Sequence, residues 1–426
     1  MSNNSPIWHP FTQHAIAPEA IHVDRAAGAY LFVRDAHKNE KCVIDAISSW
    51  WVITHGHCHP DIMHAVQEQA GKLDQVIFAG FTHDAAEELA VNLIEVTDSS
   101  LSHVFYSDSG STAVEVALKQ AIGYWEHTGH PRRKIIALEN GYHGDTFGTM
   151  STGARSVYNQ VYELFLFEVE HVPVPVAGCE GVSLEALERV LNAHKDDVAA
   201  FIFEPLIQGA GGMQIYTPET LKAMADMCRA HGVLLIADEV MTGFGRTGTM
   251  FACSQAGFAP DILCLSKGLT GGFLPMGATL CSADIYQAFY HKDKSKMFFH
   301  SSSFTGNALA CAAANASLKI WRDEPVQDRI DTIAKSHASV SAKFSAREDV
   351  VNVRQKGTIL AMDVVVGEGA GYLSEIQPKL YDAFLSQNVL LRPLGNTIYV
   401  LPPYCVTEKD LGAIYDAIHH ALDQCV

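Results

Sequence analysis

A chain of 426 residues with 48% hydrophobic content can bury a large core and is expected to divide into two domains. Its formal net charge of −18 repels a phosphate backbone, which argues against nucleic acid as a partner, and the acidic surplus, spread along the chain, is expected to serve solubility. The ten cysteines include no C-x-x-C pair and do not make a disulfide framework.

The N-terminal stretch MSNNSPIWHPFTQ lacks a basic segment followed by an apolar one, so no signal peptide is read. No apolar run approaches the ~20 residues of a membrane span. Cys228, Cys264, Cys281 and Cys311 lie in apolar segments, where reduced thiols pack as small hydrophobes. A soluble, cytoplasmic protein is expected.

Residues 22–53 hold strand-like pieces, AYLFVRD and KCVIDAISSWW. From about residue 100 to 285, short apolar runs alternate with helix-period stretches: HVFYSDSG, KIIALENGYHG, AAFIFEPLIQG, VLLIADEV, DILCLSKG and MGATLCSA. Such continuous runs fit strands covered on both faces. PETLKAMADMCRAHG, opening at Pro218 and closing at Gly232, reads as one of the intervening helices. The expected fold is therefore α/β, with a mostly parallel, doubly wound sheet whose active site lies beyond the carboxyl ends of the strands. Residues 310–426 mix helices with TILAMDVVV and NTIYVLPPY. The expected division is a large domain over 55–307 and a smaller α+β domain from 1–54 and 308–426, joined by a long helix beginning near Asn307.

Within SDSGSTAVEVALKQAIGYW, Val114, Leu118, Ala121, Ile122 and Trp125 share one helical face, and Thr112 with Glu115 has the spacing of a capping box. Gly110 and Ser111 would then precede a helix N-terminus, whose free N–H groups and positive dipole end hold phosphate. Most capped helix starts bind nothing, so this signal is weak alone.

Asp238 ends the apolar run VLLIAD, and Lys267 ends DILCLSK before the glycine-rich GLTGG. A lysine in a loop is usually solvated and an aspartate there is usually a cap. Partial burial would instead lower the lysine pKa and free its amine to attack an aldehyde. A carboxylate on the floor of a cleft would keep a pyridine nitrogen protonated. A phosphate cradle, such a lysine and such an acid together fit pyridoxal 5'-phosphate.

LIADEVMTGFGRTG, DILCLSKGLTGG, NGYHGDTFGTMS, EPLIQGAGGM and SFTGNALACAAA together resemble the class III aminotransferases, fold-type I pyridoxal-phosphate enzymes, over nearly the whole chain. WHPFTQ, SSWWVITHG, SDSGSTAVEVALKQA and RPLGNTIYVLPPY narrow the likeness to the branch that converts 8-amino-7-oxononanoate to 7,8-diaminononanoate in biotin synthesis. The resemblance implies that Lys267 bonds to the cofactor aldehyde and later moves a proton, that Asp238 pairs with the ring nitrogen, and that Tyr142 lies against the ring face. Gly110 and Ser111 would hold the phosphate, helped across a homodimer interface by Ser302 and Ser303 of HSSSFTGN. The family usually has threonine at Ser303, and glycine and proline at Ser301 and Ser302. Trp50, Trp51, Tyr399, Arg392, Arg246, Ser301 and Phe11 would meet the substrate, with Asp145 and Glu204 behind them. Adjacent tryptophans are usually core and surface neighbours; beside a cofactor they suit a long aliphatic chain, and Arg392 suits its carboxylate.

Phe11 stands where many members of the family have tyrosine, which leaves the amino donor open between S-adenosylmethionine, the expected one, and lysine. His55, His57 and His59 are read as a turn before a helix and not as metal ligands. The alternatives are another class III enzyme, such as an ω-amine or ω-amino-acid:pyruvate transaminase, and a catalytically silent protein of the same fold.

Overall fold

The computed structural model describes residues 6–34, 39–367 and 370–426; the first five residues of the N-terminal stretch, and Asp35 at the end of AYLFVRD, lie outside them. At the N-terminal end, β1 (Val23–Ala27), β2 (Tyr30–Arg34) and β3 (Glu40–Asp45) form an antiparallel meander.

The largest sheet draws on β4 (Leu101–Ser107), β5 (Lys134–Leu138), β6 (Glu170–Val172) and β7 (Val198–Phe203). A two-residue hairpin, β8 (Ile207–Gln208) and β9 (Gln214–Ile215), stands apart from it. β10 (Leu234–Asp238), β11 (Ile262–Leu265) and β12 (Gly277–Ser282) complete the sheet, in the order β4-β12-β11-β10-β7-β5-β6. Pairing is parallel from β11 through β6, and β12 alone runs antiparallel, between β11 and β4. The expectation of a mostly parallel sheet therefore holds.

The central strands β7 and β11 are apolar throughout, and β10 up to its terminal aspartate, because both faces are covered. Phe201 and Phe203 of β7 pack on one side with Leu235, Leu221 and Met224, while Ala200 and Ile202 pack on the other with Ile236, Val114 and Leu118. That is the period-2 alternation of a strand buried twice over. The helix Pro218–Ala230 has Thr217 as its cap, accepting from Thr220 N at 3.2 Å, with Pro218 in its first turn. In the helix Gly110–His127, Val114, Leu118 and Ala121 are buried as read, but Ile122, a further 100° around, is exposed. All ten cysteines are free, and the four picked out from the sequence are buried.

The C-terminal part contributes β13 (Val350–Lys356), β14 (Ile359–Val364), β15 (Val389–Leu390) and β16 (Thr397–Val400). β15 joins the N-terminal meander, parallel to β3, so the two ends of the chain share a sheet. The long helix is Ala308–Asp323, capped by Asn307, whose Oδ1 accepts from Ala310 N at 3.0 Å. Ala46, Ile47 and Trp51 pack in one cluster with Phe344, Leu360, Phe384, Ile398 and Ile414. No described helix is long and apolar enough to cross a membrane.

Candidate active site

The parallel strands deliver their chemistry at one edge. Asp238 is the last residue of β10, Glu204 follows β7, and Lys267 follows β11 by two residues. Asp238 is buried; its Oδ2 lies 2.7 Å from His143 Nδ1 and its Oδ1 accepts from Val240 N at 3.1 Å. Burial alone would push the His143 imidazole down, but the Asp238 hydrogen bond and charge, aided by Glu204, bring its pKa above the ordinary value. The short contact with His143 holds that carboxylate in place. His143, next to Tyr142 in NGYHGD, went unremarked in the sequence; an acid partner 95 residues away leaves no local trace.

Lys267 begins a short 3-10 turn with φ 48°, a left-handed conformation that a lysine enters only when its surroundings impose it. Among the described residues no hydrogen bond or ion pair engages its Nζ, which lies 5.5 Å from the centroid of the Trp51 ring. Desolvation lowers its pKa; the Asp238 and Glu204 charges pull it back up, and Arg246 adds to the lowering. The half-burial expected from the sequence is met.

Glu204 is buried, with Oε1 accepting from Tyr142 N at 3.0 Å and Oε2 from Gly209 N at 2.9 Å. It ties the Tyr142 turn to the hairpin loop. Desolvation outweighs these hydrogen bonds and pushes its pKa up to about 7. The folded state therefore favours the protonated form, so this stability is present at pH 4–5 and is lost as pH rises through about 7. Glu204→Gln lacks the titration. The melting temperature of the wild type relative to this variant should fall by a few degrees between pH 5 and 8, as read by calorimetry; a constant difference would contradict the shifted pKa.

The residues expected to hold a phosphate stand at a helix start, but the cap is not the one read from the sequence. The capping box is Ser109 with Thr112, and Gly110 and Ser111 are the first two helical residues. Glu115 leaves its own helix: its Oε1 accepts from Thr146 Oγ1 at 2.5 Å and Gly148 N at 2.8 Å, at the start of the helix Phe147–Thr152. A carboxylate six positions into a helix caps better where another helix end presents its N–H groups. Among the described residues no acceptor engages the Gly110 and Ser111 N–H groups. A Cβ on Gly110 would meet Val240 Cγ1 at 2.6 Å, so only glycine packs here without a shift of that side chain. Free N–H donors, an unengaged lysine amine and a buried carboxylate at one sheet edge fit the phosphate, aldehyde and ring nitrogen of pyridoxal phosphate.

Trp51 is buried, and its Nε1 donates to Tyr399 Oη at 2.9 Å, while Trp50 is 45% exposed. Their segment is strained: Ser48, Ser49 and Trp51 have φ of 54°, 59° and 65°. Asp45 holds it by accepting from Ser49 N at 2.6 Å and Ile47 N at 3.3 Å, with His57 Nε2 at 2.8 Å on the same carboxylate. Arg246, expected to meet substrate, is instead 1% exposed, and its terminal nitrogens donate to Pro402 O at 2.8 Å, Ile53 O at 2.9 Å and Trp51 O at 3.4 Å. It underpins the tryptophan segment, and among the described residues it makes no ion pair.

Arg392 lies 5.6 Å from the Trp50 ring and 3.5 Å from Phe11 O, and among the described residues it makes no ion pair. Phe11 packs on Trp50 at 5.8 Å. Tyr142 is half-buried and Asp145 exposed, next to it. Ser302 Oγ donates to Asp108 Oδ1 at 2.7 Å, Ser301 Oγ to Ser302 O at 3.1 Å, and Ser303 is exposed. His55 meets Ser317 Oγ at 3.2 Å and His59 meets Glu324 at 3.3 Å, so with His57 on Asp45 the three histidines have three separate partners.

A parallel sheet carrying a lysine and an aspartate at one edge defines a class, and the class III aminotransferase family model matches residues 12–422: the chain belongs to that family. Among its relatives, the adenosylmethionine-8-amino-7-oxononanoate aminotransferase of Synechococcus elongatus is 45% identical and covers 100% of both chains. The crystal structure of the enzyme of that name from Methanocaldococcus jannaschii is 35% identical, with a TM-score of 0.92 over 99% of this chain and 97% of that one. An amine transaminase from an uncultivated Pseudomonas species, in PLP-bound form, is 31% identical with a TM-score of 0.92 over 99% of both chains.

Proposed function

We propose that this chain is a pyridoxal-phosphate-dependent aminotransferase that takes an amino group from adenosylmethionine and delivers it to 8-amino-7-oxononanoate, giving 7,8-diaminononanoate for biotin synthesis. The observation that carries the reading is the buried Asp238–His143 pair at the same sheet edge as an unengaged lysine amine. The names of the relatives at 45% and 35% identity support the substrate and the donor.

Pyridoxal phosphate, when bound, supplies an aldehyde and an electron-withdrawing ring that stabilises negative charge on a substrate carbon. Lys267 holds it covalently and, once released, takes and returns a proton, work for which its lowered pKa suits it. Asp238 would pair with the ring nitrogen, and His143 holds Asp238 in position for it. Gly110 and Ser111 donate to the phosphate, and Tyr142, anchored by Glu204, faces the ring. Trp50 and Trp51 wall an aliphatic chain with Tyr399 fixing Trp51, while Phe11 and Arg392 receive its far end.

The chain acts as a homodimer in which Ser302 and Ser303 reach the other copy's phosphate. Trp8, Leu164, Phe165, Tyr290, Phe299 and Phe304 are all more than half exposed, which supports a covered apolar interface. The domain reading, 55–307 with 1–54 plus 308–426, is supported by the sheet that both ends share. The proposed location is the cytoplasm.

An acceptor panel of 8-amino-7-oxononanoate and pyruvate, crossed with adenosylmethionine, lysine and common amino acids as donors, tests the function. Preferred turnover of pyruvate would replace it by an ω-amine transaminase. In the same assay Arg392→Ala should raise the KM for the oxo acid roughly tenfold or more and change the donor half-reaction by less than about twofold; equal damage to both halves would remove Arg392 from its role.

A further inference from the structure

Two tyrosines at the rim of the site have no part in the chemistry above. Tyr158 occupies the middle of an aromatic row: its ring centroid is 5.9 Å from Phe11, edge-on at 84°, 6.3 Å from Tyr142 and 4.6 Å from Tyr372. Tyr158 and Tyr372 both line a cavity of ≈ 690 Å³ that also takes in Tyr142 and Asp145.

Phe11 connects this row to Arg392. Its ring touches Tyr158 and Trp50, and its carbonyl oxygen lies 3.5 Å from Arg392 Nη2. Arg392 is thus a half-buried cation beside the Trp50 ring, with no ion-pair partner among the described residues. Such a charge, set in apolar walls, is matched by an anion carried on an apolar chain. Burial, then the neighbouring Tyr372 and Asp145, raise the Tyr158 pKa while Arg392 lowers it, and the phenol stays a neutral donor across the working pH range. Asp145, which also lines the cavity, makes no ion pair with Arg392.

We propose that Tyr158 and Tyr372 complete, with Arg392, a three-donor seat for the carboxylate at the far end of the substrate. Arg392 provides the charge, and the two phenols provide the directed hydrogen bonds that Phe11, lacking a hydroxyl, does not. The identity of the carboxylate rests on the long-chain oxo-acid reading of the site; the seat itself is testable without it.

Nonanoate is the probe and nonanamide its uncharged control, each measured as a competitive inhibitor of the holoenzyme and by calorimetry. Tyr158→Phe and Tyr372→Phe, which keep the rings and the packing, should each weaken nonanoate roughly tenfold, the effect of one lost hydrogen bond to a charged group, with nonanamide changed less than about twofold. The KM for 8-amino-7-oxononanoate should rise by a similar factor, with kcat within about threefold. Tyr158→Phe should matter less in an Arg392→Ala background than in the wild type, because both groups serve one carboxylate. Unchanged nonanoate binding in both phenylalanine variants, or none in the wild type, overturns the seat. A wild type that binds nonanoate through these tyrosines yet does not turn over 8-amino-7-oxononanoate would leave the seat and remove the substrate assignment.

Discussion

Lys267→Ala should lose about four decades of turnover or more, since the general-base contribution alone is about 10²–10⁴-fold and covalent capture of the cofactor goes with it. The loss should be chemical and not structural. Among the described residues the Lys267 amine has no hydrogen-bond or ion-pair partner, and its removal relieves a desolvated charge. The melting temperature of the variant without cofactor should therefore match or exceed that of the wild type under the same conditions. The complementary measurement is on wild-type holoenzyme. Borohydride makes the bond between an amine and the cofactor aldehyde irreversible, and peptide mapping should then find the label on Lys267. A label elsewhere, or rapid turnover by Lys267→Ala, would overturn the role of this residue.

Asp238→Asn should cost about three decades in kcat. At an effective dielectric near 20, an ion pair at contact is worth about 4 kcal/mol, and each 1.36 kcal/mol is tenfold in rate. The full effect appears only if the pairing strengthens as negative charge develops on the substrate carbon. Asparagine preserves the size of the side chain, but its single oxygen accepts from only one of His143 and Val240, so one hydrogen bond goes with the charge. It also removes the first influence that raises the His143 pKa, leaving burial to push the imidazole toward its neutral form. The result expected is a collapse of kcat with cofactor affinity reduced far less, read by steady-state kinetics and cofactor titration. Retention of a tenth or more of the wild-type kcat would mean that the ring nitrogen does not depend on this carboxylate.

The outline of this molecule was legible before any coordinates because its signals are local. VAAFIF and LLIAD announce strands buried on both faces, Thr217–Pro218 announces a helix start, and Asn307 opens the long helix, each within a few residues of itself. Lys267 and Asp238 could be placed at one edge for the same reason: each terminates an apolar run, and parallel strands end together. The corrections share the opposite character. Glu115 stands three residues after Thr112, as in a capping box, but the stronger demand came from another helix 31 residues on. Arg246 sits in a recognisable motif, yet its destination is three carbonyls more than 150 residues away.

Composition, periodicity and spacing by themselves determined the α/β class, the order of the elements, and the placement of Lys267 and Asp238 at strand ends and of Gly110 at a helix start. Only the tertiary structure decided that His143 backs Asp238, that Glu204 anchors Tyr142, that Arg246 props the strained tryptophan segment, and that Tyr158 meets Phe11 and Tyr372. Backbone periodicity is set by neighbours along the chain and so is written in the sequence. A buried polar partner is chosen instead by whichever donor or acceptor the packing brings within about 3 Å, and in a sheet whose strand order departs from chain order that neighbour comes from anywhere in the chain.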